Sequence, residues 1–395
     1  MKHITYLSFY YEPDLCAGSF RNTPLIKELS VQAKSQNITI NLFTTMPNRY
    51  SSYKVNARSY EEIDNLRIHR IKLPSHKSGL IDQVISFSVF YFKVLWLNRS
   101  RKNDLVVASS SRLFTAYLGY KLARKSNSIL ILDIRDIFTD TVESILKNNF
   151  SALTLIPLIK IMEKKTYTYA KHINLISPGF KQYFEHFKLE STFSFFTNGI
   201  DDIFLKDYKK QKKVKHIDSR IRIVYAGNVG EGQGLHKIIP QVAHKLEKHI
   251  VFEIYGDGGM MSYLEKSIKK IGVNNISLHK PVQREELLKI YKSADFLFIH
   301  LNDYSAFEKV LPSKIFEIAS TDKYIIAGVK GYARKFLNEE VEHAFIFDPC
   351  NSNSLIKFLL EYKQKEVINR EEFTIKYSRK KINKRFSKEI LSFLN

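Results

Sequence analysis

Short apolar runs alternate along this chain with longer stretches that carry apolar residues at helical spacing. The runs predict strands at about His3–Phe9, Ile38–Thr44, Leu66–Ile71, Leu105–Ala108, Ile129–Ile134 and His172–Ile176 in the first half. In the second half they predict Ile221–Tyr225, Val251–Tyr255, Ile276–Leu278, Phe296–His300 and Tyr324–Ala327. Strands separated by helices imply right-handed βαβ units and parallel sheets. Several runs are apolar at nearly every position, which suits strands covered on both faces. The polar stretch Asp201–Arg220, with KDYKKQKKVKHID inside it, has no amphipathic period and is the expected join between two domains. The expectation is therefore α/β, two doubly wound domains with a cleft between them, and a basic helical segment at about Glu371–Leu394. Ligands in such sheets bind beyond the carboxyl ends of the strands.

One stretch departs from the pattern. Leu80–Leu97, LIDQVISFSVFYFKVLWL, is apolar almost all round, with Asp82, Ser86 and Lys93 on one narrow face. It is near the shortest length that spans a bilayer, and its two charges argue against a span. A buried core helix and a helix lying in the plane of a membrane interface both fit. Trp96, followed by Arg99, Arg101 and Lys102, tips the reading to the interface.

At 395 residues the chain exceeds one ordinary domain. Cys16 and Cys350 alone make no disulfide framework, and MKHITYLSFYYEPD meets acid and proline too early for a secretion signal. A cytoplasmic location is the expectation. The 62 Lys and Arg against 40 Asp and Glu leave a net charge of +22, gathered at Arg99–Lys102, Lys160–Lys171, Lys209–Lys215 and Arg379–Lys388. Such patches suit an anionic membrane surface or a diphosphate-bearing substrate. No nucleic-acid-binding signature and no metal-finger spacing accompanies them, so nucleic acid is not an expected partner.

Four segments carry candidate chemistry. Tyr225–Leu235 reads strand, AGNVGEGQG, helix; Gly227 and Asn228 open a turn that can cradle a phosphate or be an ordinary βα turn. It lacks the third glycine of a dinucleotide fingerprint and the Gly-Lys-Ser/Thr of a P-loop. Gly256, Asp257 and Gly258 repeat the device one unit later, where Asp257 can equally cap its own backbone. In LPSKIFEIAS, Pro312 and Ser313 suit a helix start. Lys314 and Glu317 share a face there, either as a phosphate cation and a hydroxyl-binding carboxylate or as an ion pair. In LDIRDIFTD, Asp133, Arg135 and Asp136 end a buried strand, facing a ligand or bracing the loop.

The order AGSFR (Ala17–Arg21), LDIRD (Leu132–Asp136), LISPGF, TNGID, YAGNVGEGQGL, YGDGG, SADFLFIHL and LPSKIFE resembles a retaining glycosyltransferase of the GT-B fold, glycosyltransferase family 4, over essentially the whole chain. The PSKIFE form is similar to the branch of bacterial N-acetylfucosamine transferases of surface-polysaccharide synthesis. The resemblance implies two Rossmann-like domains, 1–200 for the acceptor and 201–370 for a nucleotide-sugar donor, with 371–395 a helix crossing back to the first. It implies that Gly227 and Asn228 lie against the diphosphate, with Gly256, Asp257 and Gly258 beside them. Lys314 would bind phosphate, Pro312 and Ser313 would lead into it, Glu317 would meet the ribose, and the backbone at Pro281 and Val282 would meet the base. Gly18 and Arg21 would cover the donor. Arg135 and Asp136 would serve the acceptor hydroxyl, with Glu308 a further catalytic carboxylate.

Four positions differ from the family pattern: Asn228 and Gln233 stand where cations are usual, Lys309, beside Glu308, stands for the first of two paired glutamates, and Ala17 stands for the first glycine of the first-domain pair Ala17-Gly18. What the resemblance implies is a hexosyltransferase without cofactor or metal, using a UDP-sugar (an N-acetylhexosamine or its 6-deoxy form). The charge of +22 and the stretch Leu80–Leu97 favour as acceptor a polyprenyl-diphosphate-linked saccharide, in O-antigen or capsule synthesis, at the inner face of the cell membrane. No Asp-x-Asp sequence occurs in the chain, as the usual metal-dependent alternative would require. A nucleotide-sugar 2-epimerase of the same fold and a catalytically silent sugar-nucleotide or membrane-binding protein are the rival readings.

Overall fold

The computed structural model describes residues 1–14, 16–48, 55–74, 80–110, 113–137, 139, 152–208, 220–363 and 368–394. The expected basic patch Lys209–Lys215 lies outside them, as does the side chain of Asp82. The chain divides into two compact units, Met1–Thr197 with Lys380–Asn395, and Asn198–Arg379.

The first unit holds strands β1 (Lys2–Ser8), β2 (Ile38–Thr45), β3 (Tyr60–Ile63), β4 (Leu66–Ile71), β5 (Leu105–Ser110), β6 (Ile129–Ile134), β7 (His172–Leu175) and β8 (Thr192–Ser194). They form one sheet in the order β3-β4-β2-β1-β5-β6-β7-β8. All pairs described are parallel except β3 with β4. Alternate residues of β1 serve opposite faces. Ile4 and Tyr6 join Leu25, Ile26 and Leu29 of helix Ala17–Lys34, and Phe386, Ile390 and Leu391 of helix Arg379–Ser392. On the other face helix Leu113–Ser126 lies so close that a Cβ on Gly119 would come 2.8 Å from the Ala108 methyl. That helix also packs against helices Leu80–Leu97 and Ala152–Tyr169. The segment expected as one helix over Glu371–Leu394 is two, Glu371–Lys376 and Arg379–Ser392. The break at Ser378 lets the chain bridge to Ile200, with Ile200 N–H on Tyr377 O at 2.8 Å and Arg379 N–H on Ile200 O at 2.9 Å. Helix Asp202–Tyr208 likewise occupies part of the stretch expected to be an irregular join.

The second unit holds β9 (Ile221–Asn228), β10 (Ile250–Asp257), β11 (Ile276–His279), β12 (Phe296–His300), β13 (Tyr324–Gly328) and β14 (Ala344–Phe347), all parallel, in the order β11-β10-β9-β12-β13-β14. Ile223 and Tyr225 of β9 enter one apolar core with helices Leu235–Lys245, Met261–Ile271 and Ser352–Glu361. Val224 and Ala226 enter the other, with helices Arg284–Ser293, Lys314–Ile318 and Gly331–Glu340. Burial on both faces is why this strand is apolar at successive positions. In each sheet the strand order reverses beside the first strand, at β1/β5 and at β9/β12, and ligands of such sheets bind outside the carboxyl ends at that reversal.

Candidate functional site

In the second unit the reversal is lined by two turns that act as one body. β9 and β10 run in register to their ends, Gly227 against Gly256 and Asn228 against Asp257. A Cβ on Gly256 would overlap the Gly227 carbonyl oxygen, so this approach admits only glycine. Beyond the pair, Val229 N–H bonds Asp257 O and Met260 N–H bonds Val229 O, both at 2.9 Å. Asp257 is exposed and accepts the Gly258 N–H at 2.7 Å, so its carboxylate caps its own turn.

The turn after Asn228 tightens into a short 3-10 stretch, Glu231–Gln233. It ends at Gly234 in the left-handed region (φ 57°), from which helix Leu235–Lys245 starts. The two departures from the family pattern meet here: the Asn228 amide donates to Gln233 Oε1 at 2.7 Å, and Gly230 N–H donates to the same oxygen at 3.2 Å. Glu231 also borders the turn. It accepts from the Tyr304 hydroxyl (2.7 Å) and Asn302 amide (3.0 Å), with Lys237 Nζ at 3.6 Å. The Tyr304 hydrogen bond, with Lys237 and His236 nearby, holds the Glu231 carboxyl below its ordinary range.

β12 closes the other side. His300 is buried, donates Nδ1–H to Gln233 O at 2.6 Å, and accepts the Cys350 N–H on Nε2 at 2.9 Å. A backbone N–H can only donate, so Nε2 carries no proton and the ring is the neutral Nδ1–H tautomer. Burial pushes its pKa down to about 4. Asn302 ties the loop further, N–H on Gly232 O at 2.8 Å. Glu308 is exposed on the 3-10 stretch Ser305–Lys309, where Phe307 packs against Tyr304 at 5.6 Å between ring centroids.

Pro312 and Ser313 lead into helix Lys314–Ile318. Ser313 makes no side-chain cap, contrary to the expectation. The helix has only five residues, too few for its dipole to contribute much, so the Lys314 ammonium is the principal charge here. Lys314 Nζ donates to Glu317 Oε1 at 2.8 Å, and the Tyr291 hydroxyl donates to the same oxygen at 2.6 Å. Burial first, then the Glu317 carboxylate, keeps the Tyr291 hydroxyl protonated far above neutrality. Val282 is half-buried against the core and Pro281 is exposed. Tyr291 has no local signal in sequence; it lies 26 residues from Glu317 and meets it through packing alone.

In the first unit the charged strand end sorts by depth. Asp133 is fully buried and Arg21 grips it with Nε (3.0 Å) and Nη2 (2.7 Å). The same guanidinium donates to the carbonyls of Thr197 (3.0 Å) and Phe196 (2.9 Å). The expectation that Arg21 covers a donor is thereby corrected: it is 3% exposed and bonded within the unit. Burial works to raise the Asp133 carboxyl, but Arg21, with Asn174 and Arg135, outweighs it and holds the group below its ordinary value. Arg135 is the cation that meets Gly18: a Cβ on that glycine would lie 3.1 Å from Arg135 Nη1. Its Nε is buried with no partner among the described residues. Water reaches Asp136, yet protein crowds around it, and this desolvation pushes its carboxyl up to about 6 against the opposing effect of Arg135.

Comparison with known proteins adds three findings. Residues 207–381, most of the second unit, match the family described as Glycosyl transferases group 1. A segment of 115 residues is 28% identical to the Escherichia coli (strain K12) protein described as "Putative colanic acid biosynthesis glycosyl transferase WcaI", spanning 29% of this chain and 28% of that one. Solved structures match the fold over nearly all of the chain. Sucrose-phosphate synthase of Thermosynechococcus elongatus has a TM-score of 0.68 at 12% identity, covering 100% of this chain and 95% of that one. Anabaena Alr3699/HepE in complex with UDP-glucose has a TM-score of 0.67 at 14% identity, covering 99% and 100%. The two-unit α/β fold is that of the GT-B glycosyltransferases.

Proposed function

We propose that this chain is a glycosyltransferase that moves a sugar from a nucleotide diphosphate to a saccharide acceptor in surface-polysaccharide synthesis. The observation that carries the reading is a match to group 1 glycosyl transferases over residues 207–381, where paired glycine turns end β9 and β10 beside the switch point of the sheet. The fold likeness to a protein solved with UDP-glucose supports a UDP-sugar donor. We assign the donor to the second unit: diphosphate against the turns at Gly227 and Gly258, phosphate charge on Lys314, ribose on Glu317, base near Val282, and Glu308 toward the sugar hydroxyls. We assign the acceptor to the first unit, with Arg135 beside Gly18 taking the cationic part that Arg21 does not.

The proposed reaction retains the anomeric configuration and uses no catalytic metal. The bond from the anomeric carbon to the diphosphate oxygen breaks, the acceptor oxygen bonds the same face of that carbon, and the acceptor proton ends on the departing phosphate. Lys314 stabilises the charge that develops on the leaving group. Asp136 accepts the hydrogen bond of the acceptor hydroxyl and orients it, a role that needs the ionised carboxylate. With its carboxyl at about 6, kcat/KM is expected to fall as pH drops through that value. Asp136→Asn should lower kcat by about tenfold or more and remove that acid limb. An unchanged pH–rate profile in the variant would exclude the role.

The finer reading is an N-acetylhexosamine or 6-deoxy-N-acetylhexosamine donor and a polyprenyl-diphosphate-linked acceptor, at the anionic inner surface of a cell membrane. The net charge of +22 supports that surface. The test is incubation with a panel of UDP-sugars and a lipid-linked saccharide in EDTA, with products read by mass spectrometry. A lipid product one sugar heavier supports a metal-independent transferase and names the donor. Tight UDP-sugar binding with no product across the panel favours the silent binding protein, for which the cation-free Asn228–Gln233 contact is the specific argument.

A further inference from the structure

Helix Leu80–Leu97 is apolar on two sides for two different reasons. Inward, Phe87, Phe90 and Val94 are buried, and the two phenylalanines pack against Phe9 just beyond β1. Outward, Val84 is 60% exposed, Ile85 48%, Phe92 67% and Trp96 56%. At 100° per residue these four fall within an arc of roughly 120°. Leu158 and Ile161 are exposed on helix Ala152–Tyr169, which packs on helix Leu113–Ser126 as helix Leu80–Leu97 does. Large apolar residues grouped on one surface mark an interaction site.

The charges nearby say what kind. Arg99 lies over the Trp96 ring at 4.8 Å and Lys93 at 5.9 Å. Lys102 is exposed just beyond, and Lys160, Lys164 and Lys165 are exposed on helix Ala152–Tyr169. An apolar arc edged by cations, with an indole at the border, is matched to acyl chains below anionic headgroups. Among the described residues no helix is long and apolar enough to cross a membrane. We propose that the outward arc of helix Leu80–Leu97 lies in the interfacial layer of an anionic membrane, flat to its plane, with Trp96 and Arg99 at headgroup depth. The inference rests on the proposed membrane reading for why such a surface is present, but the face itself is named by its exposure and charge. It locates the acceptor's lipid at the unit that carries Arg135 and Asp136.

Trp96 is the one tryptophan of the chain, so its fluorescence reports this face without labelling. The full chain is mixed with vesicles of phosphatidylcholine alone, or with phosphatidylglycerol at about one part in three. The expected result is a blue shift and quenching by brominated acyl chains with the anionic vesicles, weakened by salt. In a co-sedimentation assay, Phe92→Ser with Ile85→Ser should reduce binding by about tenfold or more. Both side chains are exposed, so circular dichroism and UDP-sugar binding should match wild type. Emission unaffected by anionic vesicles overturns the proposal. So does a blue shift that follows protein concentration and needs no lipid, which would assign the face to a second copy of the chain. Donor turnover, measured separately without lipid as UDP-sugar hydrolysis, distinguishes failure of this surface from failure of the transferase reading.

Discussion

Asp133→Ala is expected to destabilise the first unit by about 3–5 kcal/mol, the cost of leaving a buried cation without its partner. Arg21 would keep its bonds to the Thr197 and Phe196 carbonyls but lose both contacts to the carboxylate. The Ser109 hydroxyl and Asn174 amide would lose this acceptor as well, at 2.9 and 2.7 Å in the native chain, the amide keeping only its longer bond to Phe196 O at 3.3 Å. At 0% exposure these groups are cut off from bulk solvent, so each would bear the cost of an unmade hydrogen bond. Arg21→Met should be milder at low pH, because the orphaned carboxyl can take up a proton whereas the guanidinium cannot lose one. The sign of the pH dependence follows from the lowered carboxyl. Its contribution is complete above the ordinary value of 3.8 and is lost only as pH falls below that, through the depressed value. Calorimetry of the wild type and both variants reads the effect. An unfolding transition of Asp133→Ala that coincides with wild type would remove Arg21 and Asp133 from the account of what holds β1, β6 and the Phe196–Thr197 segment together.

The same pair shows where sequence reading stops. Arg21 near a glycine reads as a ligand cation, and Asp133 in LDIRD reads as one of three charges at a strand end. That they neutralise each other depends on β1, β5 and β6 being neighbours, which brings together residues 112 positions apart. Arg135, half-buried, is then the cation beside Gly18. The long parallel strands were legible because both faces are buried and nearly every position is apolar. β3, β8 and β14 were not. All three are short strands at sheet edges; β3 and β8 have Tyr60, Ile63 and Thr192 exposed and no apolar run, and β14 (AFIF) is apolar but too short for its pattern to tell strand from helix. Asn228 and Gln233 read as two lost cations; folded, they are one hydrogen bond that shapes the turn. The inner arc of Leu80–Leu97 is buried, as a core helix would be, and the outer arc is the exposed face proposed above for a membrane interface.

Lys314→Ala is expected to lower kcat by more than tenfold, a loss of about 1.4 kcal/mol or more of transition-state stabilisation. The ammonium is already paired, 2.8 Å from Glu317 Oε1, and that oxygen also receives the Tyr291 hydroxyl. A diphosphate carries more charge than one carboxylate and gains more when its bond to the sugar breaks. Lys314 can therefore move to it while Tyr291 keeps Glu317 in place for the ribose. Removing Lys314 does two things at once: it takes away the cation and leaves Glu317 an unneutralised carboxylate near a departing anion. Glu317→Gln separates these effects. The amide oxygen can still accept from Tyr291 while the negative charge is gone, so the expected change is a raised KM for the donor with kcat little affected. Lys314→Arg should retain part of the rate, since its charge is kept but its donors are differently placed. Steady-state kinetics with the donor identified by product analysis reads all three. Wild-type turnover in Lys314→Ala would leave the ion pair as nothing more than a brace across one turn of helix, and the leaving-group role would have to be sought at another cation.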